Sequence, residues 1–334
     1  MLKSALGKVG SILVTLLGLL ALTFFMGRML PIDPVIAIIG QQADQAAYNM
    51  VYHQLGLDKP LTTQFLLYIR DMLSLDFGNA LFTGHRVADD LARAFPATIE
   101  LASFAIAIGV GVGVPLGVLA AVYRNSVIDQ VARVLGLLGF SSPAFWLGLM
   151  GLIVFYAALG WVGGPGRLDV GFMDEVAPHT GLLLVDALIE QDYDVFWNAL
   201  SHLVLPGCIL GFGSMAYISR MTRSFMIEQL GQEYIVSARA KGLGKWAVVL
   251  RHAFPNIAVQ LITVVALAYA FLLEGAVLTE TVFAWPGFGS YLTSGLLAGD
   301  MNAVLACVLI VGLIFIALNL LADTLYRVMD PRTR

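Results

Sequence analysis

Apolar residues gather along this chain in long uncharged blocks. Stretches of about 18 or more residues without Asp, Glu, Lys or Arg run from Val9 to Gly27, Leu101 to Tyr123, Val134 to Gly166, Ala199 to Ser219, Ala253 to Leu273, Thr281 to Gly299 and Met301 to Ala322. A helix needs about 20 residues to cross about 30 Å of hydrocarbon, so length rejects none of the seven. Sequence chemistry rejects one. Pro286, Gly287, Gly289 and Gly295 would break a helix over Thr281 to Gly299, freeing backbone groups that lipid cannot satisfy. That stretch reads as an extracytoplasmic or re-entrant turn. The pattern predicts an all-α polytopic membrane protein with six transmembrane helices.

Charge orients the six spans. Lys3, Lys8, Arg124, Arg133, Arg220, Arg223, Arg239, Lys241, Lys245, Arg251, Arg327, Arg332 and Arg334 fall on one side, 13 of the 19 basic residues. The other side receives only Arg28, Lys59, Arg70, Arg86, Arg93 and Arg167, together with fifteen acidic residues. By the positive-inside rule both termini are expected in the cytoplasm. An extended outer loop follows the first helix, with an amphipathic stretch from Leu61 to Leu75 carrying Phe65, Leu66, Ile69, Met72 and Leu73 at helical spacing. A second acidic excursion runs from Gly160 to Asn198. The expected organisation is an N-terminal tail and first helix over 1–30, an extracytoplasmic cap over 31–96, a five-helix core over 97–326 with a cytoplasmic loop at 222–256, and a tail over 327–334.

Composition agrees: at 59% hydrophobic and 13% charged, the chain holds more apolar side chain than a water-soluble fold can hide. Cys208 and Cys307 lie in apolar runs and read as small buried hydrophobes. Met1 to Lys8 and the apolar run after it resemble a signal peptide, but the run is long and has no usual cleavage site, so it reads as an uncleaved first span.

The cytoplasmic loop from Glu233 to Asn256 has its own grammar. Helix formers lead to Lys241, Gly242 and Gly244 permit a sharp stop, and Lys245 to His252 resumes an amphipathic helix before Pro255. Ala238 and Ala240 keep the turn slim, while Leu243 and Trp246 offer apolar knobs to a groove on another protein.

This loop resembles the EAA loop of binding-protein-dependent ABC importer permeases: a Glu-Ala-Ala, then a glycine, then an apolar residue before a Leu-Pro pair. Ser237 and Ala238 stand for the alanines, Gly242 for the glycine and Phe254-Pro255 for the Leu-Pro pair, while Val236 replaces the glutamate and His252 the apolar residue. Those departures resemble the dipeptide, oligopeptide and nickel branch. Leu55 to Pro60, Asp76 to Gly78, Pro96 to Leu101, Pro143 to Trp146, Leu205-Pro206, Arg220 to Arg223, Glu280 to Gly289 and Asp330 to Arg332 look like further landmarks, and the long outer loop is similar to the first of two permease subunits. The resemblance implies import of di- or oligopeptides across the bacterial cytoplasmic (inner) membrane. Its partners would be a second permease subunit, two ABC ATPase subunits, an extracytoplasmic substrate-binding protein and membrane lipid, with no nucleic acid. It also implies ATPase contacts at Glu233, Tyr234, Ala238, Arg239, Ala240, Lys241, Gly242, Leu243, Trp246, His252 and Pro255. Arg239 and Lys241 could bridge to acidic rims there, or be ordinary positive-inside charge.

No Gly-x-x-x-x-Gly-Lys-Ser/Thr occurs, so the chain is expected to bind no cofactor itself, with ATP and Mg on the partner ATPases. No catalytic or metal-ligand pattern is seen, and the five histidines read as structural or solvated. Ionisable groups at membrane depth remain. Glu274, in the fifth span, is a pore-facing or substrate candidate against a structural hydrogen bond. Glu280 reads as structural, and Glu100 and Asp323 as solvated or capped carboxylates. Phe283, Trp285, Phe288 and Tyr291 read as a contact for a binding protein or an interface belt. Nickel or peptide-like cargo carried by the same mechanism, or a proton-coupled secondary transporter using Glu274, are the alternatives.

Overall fold

The computed structural model describes residues 2–29, 34–39, 44–54, 56–173 and 175–329; the side chains of residues 2–9, 29, 34, 37, 38, 274, 322, 323 and 325–329 lie outside that description. α1 (Leu2–Met29) is followed by α2 (Pro34–Ile39), α3 (Gln45–Gln54) and α4 (Leu61–Leu73). Then come α5 (Val87–Val122), α6 (Val127–Ser141) and α7 (Ala144–Gly151), which passes into a π-helical stretch, Leu152–Ala158. α8 (Leu183–Ile189) precedes the long α9 (Tyr193–Leu230). α10 (Glu233–Ala240) and α11 (Lys245–Ala247) lead through π-helical Val248–Ala253 into α12 (Phe254–Gly275). α13 (Val277–Val282), α14 (Phe288–Ala298) and α15 (Met301–Met329) complete the chain. Among the described residues the only β-pairing is an isolated bridge between Asn79 and Arg86.

Among the described residues five helices are long and apolar enough to cross a membrane, and α6 with the Ala144–Ala158 segment meets the same measure as a pair bent by 97°, a broken span or a re-entrant loop, which brings the count to six if the pair is taken as one span. The expected Val134 to Gly166 span is therefore not one rod. Ser142 stands in extended conformation (ψ 123°) ahead of Pro143, because the proline ring excludes its predecessor from the helical region. The rejected Thr281 to Gly299 stretch contains no helix of spanning length. No more than half of the apolar window in any of the five long helices is buried within the chain.

The chain divides into two compact units, Met1–Phe95 with Ser290–Ile316 and Pro96–Gly289 with Ala317–Arg334. In the first, α4 packs on α1. Phe24 meets Phe65 and Tyr68 at ring distances of 5.2 and 5.7 Å, and the Tyr68 hydroxyl donates to Thr23 Oγ1 at 2.8 Å. The buried edge of α4 is set by Gln64, whose amide donates to the Leu57 and Lys59 carbonyls. Leu66 and Leu73, expected on the apolar face, instead lie exposed. Asp300 accepts from the Leu81 amide and, at 3.2 Å, from the Ala303 amide, while Asn302 donates to the Asn79 carbonyl at 3.1 Å.

In the second unit, α5 and α9 approach through small residues. A Cβ on Gly113 would stand 2.9 Å from the Met215 carbonyl oxygen, and one on Gly117 would stand 2.5 Å from that of Ser219. With Gly109 against Ser214, the stripe recurs every four residues along one face of α5. Such close backbone approach supplies the van der Waals contact that drives helix association in lipid. Cys208, expected to be buried, is exposed, whereas Cys307 is buried. An apolar run in a membrane helix does not imply a protein interior, because lipid accepts the same side chains.

Candidate functional site

The loop between α9 and α12 folds into a bracket of short helices. α9 ends at Gly231, and the chain turns through extended Gln232 into α10. α10 closes on Gly242 at φ +81°, with the Gly242 amide donating to the Arg239 carbonyl at 2.9 Å and the Leu243 amide to that of Ala238 at 3.4 Å. These two bonds make a Schellman cap, whose left-handed residue is normally glycine. A Cβ at Gly242 would meet nothing within 4 Å, so the requirement is conformational, not steric crowding.

One face of this bracket is anchored. Ile235 and Ala238 are buried against Met226 of α9, Val118 and Ala121 of α5, and Val248, Val249, Ala253 and Ile257. Tyr234 adds a polar brace: its hydroxyl donates to Gln229 Oε1 at 2.8 Å and accepts from Asn256 Nδ2 at 3.0 Å, while Asn256 also donates to the His252 carbonyl. Lys245 places its ammonium 3.9 Å from the centre of the Tyr123 ring, and Trp246 meets that ring edge-on at 6.4 Å.

The other face is open. Val236, Leu243, Trp246 and Leu250 are exposed apolar side chains, accompanied by exposed Glu233, Arg239, Ala240, Lys241 and Pro255. His252 is half-buried. Ala238 departs from the sequence expectation: at 6% exposure it packs inward and offers a partner no surface. Its spacing of three from Ile235 puts both on the inner side of α10. Sequence reasoning missed the Tyr123 and Asn256 braces, whose partners lie too far along the chain for local periodicity to show.

A second constellation binds the segment after α12. Glu280 is fully buried and its Oε1 accepts from Thr98 Oγ1 at 2.5 Å, while that same oxygen of Thr98 accepts from the Phe288 amide at 2.8 Å. Trp285 donates through Nε1 to the Ala97 carbonyl at 2.9 Å. A Cβ on Gly287 would collide with the Glu280 carboxylate, which is why this loop is glycine-rich. Glu280 thus has structural surroundings. Phe283, Trp285, Phe288 and Tyr291, expected as a docking surface or interface belt, are all buried. Turns at Ala284 and the glycines fold the Phe283, Trp285 and Phe288 rings inward, while Tyr291, in the first unit, packs on Phe82 at 5.1 Å.

Glu100 is likewise not solvated. It is 8% exposed, pairs with Arg167 at 2.5 Å, and accepts from the Leu184 amide at 2.7 Å, capping α8. Arg167 also lies over the Trp285 ring at 5.6 Å. Glu274 belongs to the last turn of α12 and Asp323 to α15, but their side chains lie outside the described residues. Four histidines sit beside carboxylates, with His202 almost wholly buried between Asp169 and the Asn198 carbonyl. Among the described residues no cluster has metal-binding composition.

Comparison with known proteins places this architecture. Residues 113–334 match the family described as binding-protein-dependent transport system inner membrane component, and residues 1–102 match the N-terminal region of such membrane components. The chain is 43% identical over 315 residues to the probable D,D-dipeptide transport system permease protein DdpB of Escherichia coli K12, covering 94% of this chain and 92% of that one. It is 39% identical to the dipeptide transport system permease protein DppB of the same strain and 38% identical to the di/tripeptide transport system permease protein DppB of Pseudomonas aeruginosa. Each match covers 100% of this chain and 99% of the relative. The inward-facing MetNI methionine ABC transporter shares the fold at a TM-score of 0.52 and 17% identity, over 72% of this chain and 96% of that one. The chain belongs to the binding-protein-dependent transport system inner membrane components, the permease subunits of ABC importers.

Proposed function

We propose that this permease forms half of an import pathway for di- or oligopeptides and is driven by separate ATPases that dock on the Glu233 to Asn256 loop. The observation that carries the reading is the bracket itself: anchored on one side by Ile235, Ala238 and the Tyr234–Asn256 brace, and presenting Val236, Leu243, Trp246 and Leu250 on the other. A lever must be stiff to pass a partner's motion into the spans, and exposed apolar side chains on a short helix suit a groove on that partner. Arg239 and Lys241 supply charge beside the apolar set. The peptide class rests on relatives named for dipeptide and di/tripeptide transport. In the proposed orientation the basic loops and both termini face the cytoplasm, and an outer binding protein delivers cargo to the opposite side.

The test is reconstitution of the chain in vesicles with and without its second permease, its ATPase subunits and its binding protein, following uptake of a labelled dipeptide. Uptake should require ATP and every subunit. Uptake by this chain alone, or driven by a proton gradient without ATP, would overturn the proposal.

A further inference from the structure

A cavity of about 550 Å³ opens between α6 and α9, within the range of small-ligand sites, about 300–1,000 Å³. Its rim carries Arg133, Arg220 and Arg223, and its wall includes Leu137 and Phe140. Two of the three guanidinium groups share a single carboxylate, and only Arg223 is hydrogen-bonded to it. Asp129, fully buried, takes Arg223 Nε at 2.6 Å and Nη2 at 2.9 Å on its two oxygens, and its Oδ2 also accepts from the Asn125 amide. Arg133 stands 3.7 Å from the same carboxylate with its side chain 56% exposed. Arg220 lies over the Phe140 ring at 4.5 Å and has no ion pair among the described residues. Three cations against one anion leave the cavity with a surplus of two positive charges.

The position of the arginines says what neutralises them. Arg133 immediately precedes the uncharged run Val134 to Gly166, and Arg220 immediately follows the run Ala199 to Ser219. Both therefore belong where spanning helices leave the hydrocarbon. Leu137, one turn further into α6, and Phe140 are exposed on this chain, so the cavity has an apolar end beyond its arginines. A site with guanidinium groups at headgroup level and an apolar wall beyond them is complementary to an amphiphile bearing a phosphate. We infer that the α6–α9 cavity binds an anionic phospholipid, its phosphate on Arg133 and Arg220 and the upper part of one acyl chain along Leu137 and Phe140. Arg223, held by Asp129, positions the two helices. This inference is independent of the ATPase docking proposed above.

The test uses the full chain assembled with its partner subunits, delipidated in neutral detergent and titrated with phosphatidylglycerol or phosphatidylcholine of equal chain length, binding being read by native mass spectrometry. Phosphatidylglycerol should be preferred. Arg133→Gln or Arg220→Gln alone should weaken it about fivefold and the pair about thirtyfold, from the attraction expected per surface arginine. Arg133→Lys with Arg220→Lys should retain binding, which separates lost charge from lost folding, and Arg124→Gln, a basic residue off the cavity rim, should leave affinity unchanged. Wild-type affinity in the double Gln variant, or an equal loss in Arg124→Gln, would overturn the site. Equal binding of water-soluble glycerol phosphate would show a free-phosphate site and overturn the lipid assignment. So would lipid binding by the isolated chain that vanishes in the assembled complex, because the second permease would then cover the cavity.

Discussion

Thr98 links two parts of the chain far apart in sequence, since its hydroxyl donates to Glu280 and accepts from the Phe288 amide. Thr98→Val keeps the shape and removes both bonds, taking a donor away from a buried carboxylate. Leaving a buried polar group short of a partner costs about 1–3 kcal/mol, so the purified variant should unfold at lower temperature in detergent, while Thr98→Ser should stay near wild type. Equal stability of the Val and wild-type proteins would show that the hydroxyl is dispensable. Gly242 is the opposite kind of residue, since nothing crowds it and only its φ of +81° demands glycine. Gly242→Val should strain the cap by about 1–2 kcal/mol and reduce ATP-driven uptake while leaving the protein inserted in the membrane. Undiminished uptake would remove the lever from the mechanism. Gly242 could be read from sequence because the demand is local; the Thr98–Glu280 bond could not, because its partners are 182 residues apart.

At the scale of elements, uncharged runs gave the spans well and their geometry poorly. The long apolar blocks correspond to α1, α5, α9, α12 and α15, because crossing lipid imposes a length and a composition that local sequence must carry. The bend between α6 and α7 was visible as Pro143 yet hidden inside a run long enough to span, since a count of uncharged residues is blind to helix direction. Packing between spans was also invisible, because glycines facing a neighbouring helix and glycines facing outward look alike in sequence. Gly111 and Gly113 separate the two cases. Gly113→Leu would drive a side chain into the backbone of α9 at Met215, whereas a Cβ at Gly111 meets nothing within 4 Å. Gly113→Leu should cost at least the 1–3 kcal/mol typical of overpacking and lower the yield of folded protein; Gly111→Leu should be neutral within about 0.5 kcal/mol. Thermal unfolding of both variants checks the pair, and equal midpoints would refute the glycine stripe as the α5–α9 contact.

For the whole molecule, the exposed apolar side chains and the inner-membrane family leave orientation as the property on which the proposed mechanism depends. The bracket can meet a cytoplasmic ATPase only if the loop between α9 and α12 lies inside, and the basic residues argue that it does. Two exposed valines in the segments before and after α9 make this measurable: Val170 is 82% exposed and Val236, in α10, is 63% exposed. With Cys208 and Cys307 replaced by Ala, Val170→Cys should react with a membrane-impermeant maleimide in intact spheroplasts. Val236→Cys should react only in inside-out vesicles. Because Val236 also lies on the open face of the bracket, adding the ATPase subunits to stripped vesicles should slow its labelling and leave that of a Val170→Cys control unaffected. Labelling with the sides reversed would overturn the orientation and with it the coupling loop. Correct sides without protection would leave the orientation standing and refute docking at Val236, moving the ATPase contact elsewhere on the cytoplasmic surface.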